Sequence, residues 1–221
     1  MSLLEVKGVK RSYGNLQVLR GIDMVIRRGE VVAIVGASGA GKSTLLHVMG
    51  TLDKPDSGTV SFDNKNLFRL SETELAEFRN RHIGFVFQFH NLLAEFTALE
   101  NVCMPAYIGK WGTEKEIREK GKALLGVLGL SDRGEHLPSQ LSGGEQQRVA
   151  VARALINSPD IVFADEPSGN LDSHNAEELH RLFFELRKEM GCTFVIVTHN
   201  EQLAEMADRR LMMKDGLLVD S

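Results

Sequence analysis

Long apolar runs are absent from this sequence. The longest are short, such as Val31 to Val35, whereas a membrane-spanning helix needs about 20 residues. The first residues, Met1 to Lys7, have neither the basic region nor the apolar stretch of a secretory signal. Work at a membrane therefore requires another chain to supply the span. Lys and Arg form no runs, and the net charge is −4. Nucleic-acid binding begins with a basic face, so no nucleic-acid partner is expected. Cysteine is scarce: Cys103 and Cys192 have no metal-ligand or redox spacing and read as reduced, buried thiols of a cytosolic protein. Repeats, low-complexity tracts and linkers are also missing.

What is present is ordinary for a globular chain: 221 residues, 43% hydrophobic and 25% charged. That is enough for one large domain, or one domain with an insertion. Leu3 to Val9 and Val18 to Ile26 alternate as strands do, with Gly14 and Asn15 as turn residues between them. Val31 to Val35, Ile161 to Ala164 and Thr193 to Thr198 are continuously apolar or nearly so, the pattern of parallel strands buried on both faces. Further strands are expected at Thr59 to Phe62 and Ile83 to Phe87. Helices are expected at Lys42 to Gly50, Glu72 to Asn80, Ala98 to Cys103, Thr113 to Leu128, Gly144 to Asn157, Asn175 to Met190 and Glu201 to Ala207. A hairpin is expected around Asp215-Gly216. The reading is a single 1–221 domain: an α/β core with a helical insertion from about residue 90 to 155.

Three stretches carry chemistry. The first, Gly36-Ala37-Ser38-Gly39-Ala40-Gly41-Lys42-Ser43, matches G-x-x-x-x-G-K-[ST] in full and joins a buried strand to a helix. Its glycines let backbone N–H groups wrap an anion, and the helix N-terminus adds positive partial charge. Lys42 is suited to the β- and γ-phosphates, Ser43 to Mg²⁺, and Thr44 continues the phosphate contacts. The loop alone leaves kinase, GTPase and ATPase open, although no N-K-x-D guanine-reading motif appears. The second stretch, Ile161 to Glu166, is an apolar strand ending in two acids. A strand of the same sheet would deliver them beside the phosphate loop. Asp165 is suited to the Mg²⁺ shell, and Glu166 to accepting a proton from water. The third, Leu141-Ser142-Gly143-Gly144-Glu145-Gln146-Gln147-Arg148, opens a helix. Alone it is an ordinary Ser N-cap with a capping box; beside the other two it reads as a second anion-binding helix start.

At these residues the chain resembles the ATP-binding cassette family, and the resemblance covers nearly the whole sequence. It implies a P-loop fold with a RecA-like parallel-sheet core, an N-terminal antiparallel β-subdomain and an inserted α-helical subdomain. Leu141 to Gln147 resembles the family signature. Tyr13 occupies the place of the adenine-stacking aromatic. Gln88 resembles the loop glutamine that senses Mg²⁺ and the membrane subunit, Ser168 to Asp172 the dimer-contact loop, and His199 the γ-phosphate switch. Ser168 stands where the family often has threonine; both supply a hydroxyl, so no loss of activity is expected. The resemblance implies ATP and Mg²⁺ as ligands. It also implies a head-to-tail pair of copies in which Ser142 to Glu145 of one covers the ATP held by the other.

Gly84 to Val102 is similar to ATPases of the lipoprotein-releasing, macrolide-export and division-associated group, and most similar to the lipoprotein-releasing ones. This implies integral membrane subunits contacting about residues 88–105 and a location on the cytoplasmic face of the bacterial inner membrane. Phe89, Leu92, Leu93, Phe96, Leu99 and Met104 either line a groove for a partner helix or pack the insertion's own core. A macrolide-exporter-like or division-associated ATPase is the alternative. Repair-type members insert a long coiled coil and translation-type members join two cassettes; neither feature is present.

Overall fold

Strands with apolar residues on both faces must lie inside a sheet, and they do. The computed structural model describes residues 2–219. In it β3 (Val31–Val35) and β8 (Thr193–Val197) are buried at every residue. They sit in a six-stranded sheet with β6 (Ile83–Phe87), β7 (Ile161–Asp165), β9 (Arg209–Lys214) and β10 (Leu217–Val219), in the order β10-β9-β3-β8-β7-β6. All neighbours pair in parallel except the β9–β10 hairpin. Alternate residues serve opposite layers. Val31, Phe194 and Ile196 join one core cluster; Val32, Ile34, Val195 and Val197 join the other.

The second cluster is closed by an antiparallel sheet of β1 (Ser2–Tyr13), β2 (Leu16–Arg27), β4 (Ser57–Phe62) and β5 (Lys65–Asn66), in the order β2-β1-β4-β5. β1 and β2 run longer than their alternation predicts. Gly8 at φ 57° coincides with a register shift between Val6 and Val9, a bulge that absorbs the break in alternation and lets pairing continue.

Between β6 and β7 the chain leaves the sheet for α3 (Ala98–Gly109), α4 (Glu114–Val127) and α5 (Gly143–Leu155). The other helices are α1 (Lys42–Met49), α2 (Glu72–His82), α6 (Ser173–Met190) and α7 (Glu201–Met206). Capping boxes start α2, α3, α4 and α5, at Ser71, Thr97, Thr113 and Ser142. Each satisfies two otherwise orphaned donors, and such a cap contributes about 1 kcal/mol. α3 runs past Cys103 despite Pro105. Proline removes one ladder bond, but Ala98, Leu99, Val102, Cys103 and Ala106 bury the same helix face in the core, and burial outweighs the missing bond. No helix among the described residues is long and apolar enough to cross a membrane.

Candidate active site

Parallel pairing puts the C-terminal ends of β3, β8, β7 and β6 on one sheet edge. The residues that follow those strands meet there. After β3 the chain turns through Gly36 to Gly41 into α1. A Cβ on Gly36 would collide with the Met213 carbonyl oxygen, and one on Gly41 (φ 101°) would lie 2.9 Å from Met213 Cε. The loop's tight path therefore demands glycine at both positions. Gly41 is the N-cap of α1 and supplies no side-chain hydrogen bond. The first amides of α1 are left for an anion. Lys42 is buried, and its ammonium donates to the carbonyls of Gly36 (2.9 Å) and Ala37 (3.1 Å).

Ser43 Oγ donates to Asp165 Oδ1 at 3.0 Å, across from β3 to β7. Burial pushes the Asp165 carboxyl above its usual range, and the Ser43 hydrogen bond pulls the other way. Hydroxyl and carboxylate oxygens are the hard ligands Mg²⁺ takes when phosphate and water complete its shell. Among the described residues no three His, Cys, Asp or Glu side chains gather into a metal cage. The pair fits a nucleotide-borne Mg²⁺ that arrives with its own oxygens.

Glu166 turns sharply out of β7 at φ 45°, with its N–H donating to the Val197 carbonyl at 2.9 Å. Its Oε2 accepts from the His199 N–H (3.2 Å) and lies 2.9 Å from His199 Nδ1. The Glu166 side chain is mostly covered, whereas the His199 ring is 72% exposed. Gln88, after β6, lines the same cleft, but its amide donates to Asn170 Oδ1 at 3.2 Å. Tyr13 stands at the cleft wall with its hydroxyl on Asp53 and the Arg11 guanidinium 4.8 Å from its ring centre.

A cleft of about 570 Å³ thus gathers Tyr13, Gly36, Ser38, Gly39, Gly41, Lys42, Ser43, Thr44, Gln88, Glu166 and His199. Ala40 is buried beneath the loop, and Ala37 contributes its carbonyl to Lys42. Ser142, Gly143, Gly144, Glu145 and Asp172 are not in its lining. They form a second cluster. Asp172 caps α6 by accepting from the Asn175 N–H at 3.0 Å, and a Cβ on Gly144 would meet the Asn175 side chain at 2.5 Å. Glu145 closes the Ser142 capping box and accepts from Arg133 Nε at 2.8 Å. One chain therefore presents two separate clusters, the cleft and the start of α5 with Asp172.

Several residues to which the sequence assigned no separate role hold these parts together. Gln147, fully buried on α5, donates to the Phe87 carbonyl at 3.3 Å, and Arg153 donates to the carbonyls of His90 (2.8 Å) and Asn91 (2.7 Å). α5 thus grips the chain on both sides of Gln88. Asn101, also fully buried, bonds the backbone of Leu93, Phe96 and Thr97. The apolar segment divides. Leu99 is core and Leu92 packs against it, while Phe89, Leu93 and Phe96 are exposed. Met104 borders a shallow depression with Phe96 and Tyr107. A separate groove of about 430 Å³ is lined by Leu52, Phe85, Phe87, Pro105 and Ile108, with Arg79 and Arg153 as its only charged groups. Of its lining residues only Pro105, on α3, falls within the expected 88–105 segment.

The model of the family described as ABC transporter matches residues 19–169. The chain belongs to the ABC transporter family. As an ABC cassette it is an ATPase subunit, and solved structures similar to it are cassettes too. One is the dimeric structure of the bacterial ABC transporter cassette MJ0796, with TM-score 0.91 and 41% identity, covering 99% of this chain and 97% of that one. The post-hydrolysis dimer of the same cassette, bound to ADP and Pi, gives TM-score 0.90 and 40% identity with the same coverage. Among curated relatives, the lipoprotein-releasing system ATP-binding protein LolD of Cytophaga hutchinsonii is 60% identical over 98% of this chain and 99% of its own length. The protein of that name from Bacteroides fragilis is 58% identical over 98% of this chain and 100% of its own.

Proposed function

We propose that this ABC cassette hydrolyses Mg·ATP between two copies of itself and drives membrane subunits that release lipoproteins from the inner membrane. One observation carries the hydrolytic part. A single sheet edge gathers Lys42, Ser43, Asp165, Glu166 and His199, while Ser142 to Glu145 stay outside that cleft. A site with cation, metal oxygens and base on one face and a spare anion-binding helix start elsewhere is completed by a second copy.

In this reading the loop amides from Gly36 to Thr44 and Lys42 hold the phosphates. Ser43 and Asp165, with Gln88 beside them, would hold Mg²⁺, which would supply charge neutralisation to the phosphates. Tyr13 stacks on adenine. Glu166, oriented by the His199 N–H, takes the proton of the attacking water. His199 reaches the γ-phosphate. Ser142 to Glu145 and Asp172 of the partner copy close over it. Because ATP bridges both copies, it stabilises the closed pair by linkage, and loss of the γ-phosphate removes the bridge.

The client reading rests on the relatives' names at 57–60% identity over nearly the whole chain. It fits the exposed Phe89, Leu93 and Phe96 and the separate groove lined by Phe85, Phe87, Pro105 and Ile108. The chain then works on the cytoplasmic face, as one domain whose α3–α5 insertion carries the output. The test is Glu166→Gln. It should bind ATP, lower turnover by about 10²- to 10⁴-fold and run as a dimer on size exclusion with ATP and Mg²⁺. Normal phosphate release from that variant would overturn the base assignment.

A further inference from the structure

Between Glu166 and Asp172 the chain makes a compact turn. The Gly169 N–H donates to the Glu166 carbonyl at 3.0 Å and the Leu171 N–H to the Ser168 carbonyl at 3.1 Å. Its outer side is braced by an exchange with the β6 loop: Gln88 Nε2 donates to Asn170 Oδ1, and Asn170 Nδ2 donates to the Gln88 carbonyl at 3.1 Å. Its inner side is braced by one residue of α6. His180 is 2% exposed, and its Nε2 lies 2.9 Å from Ser168 Oγ.

A buried imidazole flanked on its helix by core residues Leu179 and Phe183 is costly unless its polar atoms are partnered. Burial, weakly opposed by Glu177, holds the ring below the ordinary imidazole range. It is uncharged at neutral pH, and Nε2 acts as a single donor or acceptor. Ser168 gains in return. Serine lacks the β-branch that restricts χ1, so its hydroxyl is free among three rotamers until a partner selects one.

We propose that His180 is a positioning residue for ATP hydrolysis: by holding Ser168 Oγ it sets the turn that aims the Glu166 carboxylate. It also ties that turn to α6, whose N-terminus is capped by Asp172. Hydrolysis in one copy and the contact made by Asp172 thereby share one rigid element. The inference rests on Glu166 being the base.

Steady-state ATPase assays on the full chain test it with His180→Phe, His180→Gln, Ser168→Ala and the His180→Phe/Ser168→Ala double variant. His180→Phe and Ser168→Ala should each lower kcat about tenfold, with KM for ATP within about twofold. The double variant should be no slower than the slower single within about twofold, because both remove one interaction. His180→Gln places an amide N–H within reach of Ser168 and should recover most of kcat. Additive losses in the double variant, a loss confined to KM, or no rescue by glutamine would each overturn the proposal. Ser168→Ala removes a single oxygen, so if His180→Phe does not fold, unchanged kcat in Ser168→Ala overturns it alone. Normal turnover in Glu166→Gln is a separate failure, that of the base assignment.

Discussion

Glu166 holds a left-handed backbone conformation at φ 45°, which costs a residue with a β-carbon about 1–2 kcal/mol. The cost is offset locally: its N–H is bonded to Val197 and its carboxylate to the His199 amide. The identity of this residue was legible in the sequence, as an acid one place beyond an apolar strand. Its direction was not, because nothing in a sequence shows a single left-handed residue that is not glycine. The cysteines were legible. Both are buried, and burial pushes Cys103 up to about 11 and Cys192 up to about 12. Thiolate is the reactive form, so neither should react with an alkylating reagent at pH 8 until the chain unfolds. Labelling of the folded protein, followed by mass spectrometry, checks this; rapid native labelling would contradict the burial.

Among the elements, α5 does the most. It presents Ser142 to Glu145 at its start, grips the Gln88 loop through Gln147 and Arg153, and fills the core with Val149, Val151, Ala152 and Leu155. Its capping box was legible from Ser142 and Glu145 alone. The ion pair with Arg133 was not, because the chain had to fold back over a separation of twelve positions first. That pair, with the Ser142 N–H, lowers the Glu145 carboxyl from an ordinary 4.5 to about 2. A depressed folded value means stabilisation that is full above the unfolded value and lost as pH falls through the folded one. Glu145→Gln should therefore lower the urea midpoint at pH 7. The gap to wild type should hold down to about pH 4.5 and close as pH approaches 2. A gap that stays constant with pH would show that the charge contributes nothing.

At the scale of the molecule, the α3–α5 insertion and the parallel sheet meet along the groove that contains Phe85, Phe87, Pro105 and Ile108. Ile108 is 69% exposed there. Ile108→Glu places a charge on the proposed docking surface and leaves the nucleotide cleft untouched. It should preserve ATP binding and ATPase activity of the chain alone while abolishing co-purification with the membrane subunits. Full recovery of the complex would move the docking surface elsewhere.

The residues themselves determined the chemistry and the order of the elements. Glycine spacing, apolar strand runs and Ser–Glu caps act over a few residues, so sequence alone carries them. Folding decided three further things. It brought Asp165 to Ser43 across 122 residues and left Ser142 to Glu145 out of that cleft. It buried Leu99 while exposing Phe89 from the same apolar segment. It set His180 against Ser168. These depend on which faces of distant elements meet, and side-chain type does not encode that until the sheet order and helix packing are complete.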